Sequence, residues 1–157
     1  MSPVNHKELL GQVERYQRTL FTRAAAMVHD ANLHVVFLGP AFHYAAMCVN
    51  ATPMGKRART RIEDCEGQKP NIERFYAFGA DAIMRRETGP AKPEDKGLPV
   101  VFMGMDPRSP AASLGLCRLA DGRWVLRSST RIEVFNDKFT FWRTRIGRRS
   151  TAHAPPV

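Results

Sequence analysis

The sequence predicts an α+β fold, in which a curved antiparallel β-sheet of about five strands packs against a long N-terminal helix and a second helix. Three observations support this prediction. Apolar residues recur at helical spacing over residues 5–29, and short β-branched and aromatic runs alternate with turn formers over residues 100–143. The composition, with 43% hydrophobic and 25% charged residues among 157, is that of a globular protein.

The N-terminal helix is expected from Asn5 to about His29. Asn5 followed by Glu8 resembles a capping box, which marks the start of a helix. Apolar residues spaced three and four apart then form one stripe: Leu9, Leu10, Val13, Tyr16, Leu20, Phe21, Ala24 and Val28. The helix is therefore expected to pack on the rest of the protein through this stripe.

The middle of the chain gives weaker signals. The apolar run 33–38, closed by Gly39-Pro40, predicts a buried strand. Residues 41–50 fit a strand or a helix equally well. The apolar spacing over 70–87 favours the second helix, although its aromatic segment 75–79 could equally be a strand.

An antiparallel meander is expected near the C-terminus. Its first strand spans 100–105, and the Asp-Pro turn that follows leads into a short helical turn at 111–114. A hairpin pairs 116–119 with 123–128 across Asp121-Gly122. Two more strands, 130–135 and 138–143, complete the meander.

Alternation along the meander predicts two unlike faces. The core face is expected to contain Trp124, Leu126, Ile132, Val134, Phe139 and Phe141. The opposite face then carries Arg123, Val125, Arg127, Arg131, Glu133, Thr140, Trp142 and Thr144. Arginines beside an exposed indole are typical of surfaces that hold single-stranded nucleic acid, since cations follow phosphates and the ring stacks on a base. The alternative is that Trp142 packs under the first helix and the arginines only solvate the sheet.

Positive charge is the strongest bulk signal. The formal net charge is +9, of which residues 98–157 carry +6. Two further basic segments are the loop Lys56, Arg57, Arg59 and Arg61 and the tail residues Arg148 and Arg149. In an extended loop, Arg57, Arg59 and Arg61 would project to one side, although the acids at 63–66 could neutralise them. Such charge favours binding to phosphate backbones or to an acidic protein.

Catalytic patterns are sparse. Asp106 follows an apolar strand, where a metal-dependent nuclease or hydrolase could place a carboxylate, but few acids accompany it. A Cys48–His43 pair is conceivable as thiolate and base, yet nothing in the sequence brings the two together. The histidines and cysteines lack zinc-site spacing, and Gly39-Pro40 is too poor in glycine and backbone donors to cradle phosphate. No cofactor or metal is therefore expected.

The sequence is best interpreted as a non-catalytic nucleic-acid-binding protein that favours single strands. The first alternative is a protein-interaction module that docks an acidic partner, and the second is a nuclease or hydrolase centred on Asp106. Residues 1–150 are expected to form one domain, and 151–157 a flexible tail. Three scattered cysteines, Cys48, Cys65 and Cys117, and no transmembrane-length apolar run favour a cytoplasmic protein that is not in a membrane. The oligomeric state stays open.

Overall fold

The computed structural model describes residues 4–53, 55, 58–85 and 97–140, and these confirm the α+β fold. Helices come first along the chain, and a five-stranded antiparallel sheet follows. The helices are α1 (Val4–Asp30), α2 (Leu38–Asn50) and α3 (Arg61–Glu66). The strands are β1 (Asp81–Arg85), β2 (Gly97–Asp106), β3 (Ser109–Arg118), β4 (Trp124–Ser129) and β5 (Ile132–Phe135).

Helix α1 confirms the predicted N-terminal helix to within one residue at each end. Leu20, Ala24 and Val28 are buried where the helix packs on α2, whose Ala41 and Ala45 are fully buried. Small residues at these positions let the two helix backbones approach closely. Leu20, Ala24 and Val28 of the predicted apolar stripe therefore form the packing face, whereas its members Leu10, Val13 and Phe21 are exposed.

The strand expected at 33–38 is wrong. The His34 side chain accepts a hydrogen bond from Val36 N at 3.2 Å and caps a 3-10 turn at Val35–Phe37, which runs directly into α2. Pro40 lies in the first turn of α2, where the missing N–H would have no intrahelical partner anyway. The ambiguous residues 41–50 are consequently helical, and the second helix lies here rather than at 70–87.

Residues 70–87 were predicted as a helix, and the structure overturns this. A 3-10 turn at Ile72–Arg74, capped by Asn71, is followed by irregular chain and then by β1. Gly79 has φ +81°, and a Cβ there would meet Ala31 Cβ. Because a side chain fits neither that conformation nor that space, the chain needs glycine at this position, and glycine disfavours a helix.

The first four strands form a meander in the order β4-β3-β2-β1. Strand β2 confirms the strand expected at 100–105, and the β3–β4 hairpin confirms the pairing across Asp121-Gly122, with Leu116 opposite Leu126. The helical turn expected at 111–114 is wrong, because these residues belong to β3.

The sequence led us to expect that β5 would continue the meander, but it does not. It crosses to the far edge of the sheet and pairs antiparallel with β1, with Asp81 opposite Phe135. Residues 138–140 are not a strand, and 141–143 lie outside the described residues.

Only residues 130 and 131 separate β4 from β5. Four interstrand spacings in a flat sheet span about 19 Å, whereas three residue steps reach only about 10 Å. The sheet must therefore curl until its two edges approach at this end.

The inner face of the curl is the core of the protein. Ala82, Met84, Val100, Phe102 and Cys117 lie on it, and each is at most 5% exposed. Helix α2 contributes a ring to this core: Tyr44 packs edge-on against Phe102 with centroids 5.5 Å apart. Its hydroxyl donates to the Tyr76 carbonyl at 2.7 Å, and burial raises the pKa of the Tyr44 phenol.

The predicted core face is split between the two sides of the sheet. Ile132 and Val134 pair with inner-face residues of β1, whereas Trp124 and Leu126 lie on the outer face, and Leu126 is 47% exposed. Side chains alternate between the inner and the outer face within each strand. Because β5 crosses to the other edge of the sheet, however, the residues of β4 that face inward do not determine which residues of β5 face inward. Phe139 is half-buried against the core, and Phe141 lies outside the described residues.

Candidate functional site

The outer face of the sheet is the most distinctive surface among the described residues. The strand register defines it by two rows that cross all five strands. One row is Leu126, Leu116, Val101, Asp81 and Phe135, and the other is Trp124, Arg118, Pro99, Ile83 and Glu133. One aromatic residue therefore lies at each edge, Trp124 on β4 and Phe135 on β5, and the strands between them carry aliphatic residues together with Asp81 and Arg118.

A groove of about 640 Å³ runs over this face. Its apolar lining includes Ile83, Pro99, Val101, Leu116, Trp124 and Phe135, and its polar lining is Asp81, Arg118, Lys138 and Thr140. We call it the outer-face groove. Its size and its largely apolar lining with a few polar groups are those of a small-ligand or single-base site.

Each aromatic edge of the groove carries a cation. The Arg118 guanidinium carbon lies 6.0 Å from the centre of the Trp124 ring, and Lys138 Nζ lies 4.9 Å from the centre of the Phe135 ring. Both distances are within the range at which a ring face attracts a positive charge. Among the described residues, neither Arg118 nor Lys138 forms an ion pair with a carboxylate. Both charges are therefore available to an anionic ligand.

Asp81, the one acid among the described residues that line the groove, is held by neutral donors. Its carboxylate accepts hydrogen bonds from Thr140 N at 3.1 Å and from Thr140 Oγ1 at 2.8 Å, while its own N–H donates to the Lys138 carbonyl at 2.8 Å. These bonds fix the segment after β5 against β1. They also hold the Lys138 backbone beside β1, and the Lys138 ammonium reaches the Phe135 ring.

A second depression, of about 590 Å³, adjoins the groove at Ile83. It is lined by Arg85, Gly97, Arg131, Ile132 and Glu133 in addition to Ile83. Arg131 was predicted as a binding residue, and the structure places it in this depression. Among the described residues, four cations line the groove and the depression together: Arg85, Arg118, Arg131 and Lys138.

The other predicted arginines of the sheet are placed differently. Arg123 forms an ion pair with Asp121, Nε to Oδ2 at 2.7 Å, inside the β3–β4 turn. The Arg123 N–H and side chain hold the pKa of the Asp121 carboxyl below its usual range. Arg127 is exposed on β4, but it alternates with Leu126 and does not line the groove. Arg123, Arg127 and Arg131 therefore do not share one continuous face.

Only half of the predicted basic loop is described. Arg59 is exposed, while Arg61 begins α3 and its guanidinium lies 4.7 Å from the centre of the Tyr16 ring. Thr60 caps α3 through a reciprocal capping box with Glu63, so Arg61 is helical and does not continue an extended run with Arg59. The predicted residues outside the described part are Lys56, Arg57, Trp142, Arg148 and Arg149.

Asp106 has a structural environment in the β2–β3 turn. Hydrogen bonds from the Ser128 side chain and from Arg108 N, the latter at 2.9 Å, hold its pKa below the usual range. No cluster of three potential metal ligands occurs among the residues that the structure describes. Asp106 is therefore a turn former with the geometry that an Asp-Pro sequence favours.

Cys48 is not arranged as a nucleophile. Burial raises the pKa of its thiol, which disfavours the reactive thiolate. His43, five residues earlier in α2, lies about 140° away around the helix, so its imidazole does not face the Cys48 sulfur.

Sequence reasoning missed Arg118, Lys138 and the outward position of Trp124. A usable signal existed for Arg118, because Leu116 and Arg118 are two residues apart in a strand and must share a face. Lys138 had no such signal, since its position depends on the crossover of β5.

No known family model matches this chain. No solved structure matches it either. Within the described ranges, no helix is long and apolar enough to cross a membrane.

Proposed function

We propose that this protein binds single-stranded nucleic acid through the outer-face groove. The observation that carries the proposal is the pairing of a cation with an aromatic ring at both edges of one groove, Arg118 with Trp124 and Lys138 with Phe135. Bases stack on such rings, and cations beside the rings contact the phosphates that connect the bases.

Single strands fit the groove better than duplexes. Base faces are hidden in a duplex, whereas an unpaired base can enter a pocket and stack on Trp124 or Phe135. Between its cations the groove is lined by Val101 and Leu116 together with the Asp81 carboxylate, which suits the face of a base rather than a second phosphate backbone.

The charge available to phosphates is modest within the described sheet. Six cations and four anions occur in residues 98–140, giving +2, and a further +4 belongs to 141–157. If the four cations of the groove and the adjoining depression each neutralise one phosphate, log K falls with log salt at a slope of about −3. Between 50 and 200 mM salt the affinity then drops about 50-fold.

Fluorescence anisotropy with a labelled oligonucleotide of about 20 bases tests the proposal. Arg118→Ala and Arg131→Ala should each flatten the salt slope by about 0.7, because each removes one phosphate contact. Phe135→Leu keeps an apolar side chain but loses the stacking surface. It should weaken binding by about 1–3 kcal/mol without changing the slope. Arg108→Ala, in the β2–β3 turn away from the groove, is the matched control and should leave the slope nearly unchanged.

Two results would contradict the proposal. One is the absence of oligonucleotide binding by the wild type at 50 mM salt. The other is binding whose salt slope responds to Arg108→Ala as strongly as to Arg118→Ala, because that pattern indicates diffuse attraction rather than a groove. If an acidic peptide binds and oligonucleotides do not, the acidic-partner module becomes the function of this surface.

A further inference from the structure

Helix α1 extends well beyond the helix on which it packs. It has 27 residues against 13 in α2, so it is about 40 Å long against about 20 Å. The Tyr16 hydroxyl donates to Asn50 Oδ1 at 3.1 Å, which places the middle of α1 beside the last residue of α2. The first three turns of α1 therefore project past α2, and Leu10 and Val13 are 61% and 53% exposed there.

One side of the projecting helix has a recognisable order of side chains. At 100° per residue, Leu10, Glu14, Arg18 and Phe21 fall within about 80° of the helix circumference. Phe21 is 55% exposed, and with Glu14, Gln17, Arg18 and the α2 residue Phe42 it lines a depression of about 490 Å³. We call this side the α1 lateral face. It has an apolar residue at each end and opposite charges between them.

This order is self-complementary under a two-fold axis. In an antiparallel pair of α1 helices, the axis that places Leu10 against Phe21 of the second copy passes through position 15.5. The axis that places Glu14 against Arg18 of the second copy passes through position 16. The two positions differ by half a residue, about 0.75 Å along the helix. One arrangement therefore satisfies both the apolar contacts and the charge pairs.

We propose that the protein forms a two-fold homodimer through the α1 lateral face. The contact is isologous, so every interaction occurs twice: two contacts between Leu10 and Phe21 and two ion pairs between Glu14 and Arg18. Among the described residues, Glu14 and Arg18 form no ion pair within the chain, which leaves both available to the second copy. The depression beside Phe21 and Phe42 receives the Leu10 side chain of the second copy.

Charge reversal provides the test. Glu14→Arg and Arg18→Glu each replace two attractive pairs by two like-charge pairs, so each should weaken the dimer at least ten-fold. The double variant Glu14→Arg/Arg18→Glu restores opposite charges at both positions and should dimerise like the wild type. Arg23→Glu reverses a charge on the opposite side of α1, about 180° from the centre of the lateral face, and is the matched control. Light scattering coupled to size exclusion, over about 1–200 µM protein, measures the monomer–dimer equilibrium.

Circular dichroism checks that each single variant remains helical, because position 14 and position 18 are also neighbours within one helix. Phe21→Ser, which tests the apolar contact independently, should give a folded monomer. A wild type that stays monomeric at 200 µM overturns the proposal, and so does one that binds a different protein through this face without self-associating. A dimer that survives both single reversals overturns it as well, since the two copies must then meet through another surface.

Discussion

Replacing Phe102 by alanine should destabilise the protein more than replacing Leu126, a half-exposed residue on the outer face of the sheet. Phe102 has no exposed surface and lies between two rings, Tyr44 and Tyr76, each with its centroid 5.5 Å away. Removing a buried phenylalanine costs about 3–5 kcal/mol, because burial is lost and a cavity remains. For a chain of this length the melting temperature should fall by roughly 6–20 °C. Urea denaturation followed by circular dichroism measures the free energy of unfolding directly.

Leu126→Ala is the informative comparison, because alternation in the sequence alone would place Leu126 in the core. The side chain is 47% exposed in the structure. Full burial of a leucine is worth about 1.5–3 kcal/mol, so about half of that, near 1 kcal/mol, is at stake here. If Leu126→Ala costs as much as Phe102→Ala, strand β4 is shifted by one residue and the assignment of inner and outer faces is wrong.

Two further outcomes follow from buried groups. Tyr44→Phe should cost about 1–2 kcal/mol in urea denaturation, since it leaves the Tyr76 carbonyl without its 2.7 Å donor; an unchanged stability would mean that water or another donor replaces the hydroxyl. Alkylation of the native protein should modify the exposed Cys65 first, whereas the buried Cys117 and the half-buried Cys48, whose burial raises its thiol pKa, should react only slowly. Peptide mapping of the labelled sites checks this order, and rapid labelling of Cys48 would contradict its placement.

Local signals in the sequence sufficed for the elements that depend on local interactions. Helix α1 has a repeating apolar stripe over about five turns, and the β3–β4 hairpin has a turn sequence, Asp121-Gly122, flanked by strand formers. Helix α1 and strand β4 were predicted to within one residue at each end, whereas β3 begins at Ser109 rather than at the predicted residue 116. Strand β2 also followed from its continuous apolar run.

The errors lie where distant residues decide the local structure. The apolar run 33–38 looks like a strand, but it leads into α2 through a turn capped by His34. The segment before β1 has helical spacing, yet Gly79 must fit against Ala31, almost fifty residues earlier. Such contacts leave no periodic trace in the sequence, and tertiary packing overrides local propensity.

The candidate site shows the same division. Its residue types, arginine beside tryptophan on a sheet, were visible in the sequence, and Arg131 was among those chosen. The partners were not visible, because the sequence favoured a meander with β4 and β5 as neighbours. Only the crossover shows that Phe135 and Lys138 belong to the edge of the sheet opposite Trp124.

The pairing of β1 with β5 also has a consequence for how the chain folds. Asp81 and Phe135 are 54 positions apart, so this pairing closes the longest loop in the sheet. Contacts between such distant residues form late, because their loop-closure entropy is large. Until β5 pairs with β1, the backbone hydrogen-bonding groups along one edge of β1 stay unpaired. An unpaired strand edge can form hydrogen bonds with strands of other chains. A nascent or partly unfolded molecule should therefore aggregate through β1. Pairing with β5, the last of the five described strands, then protects the edge of β1 from aggregation.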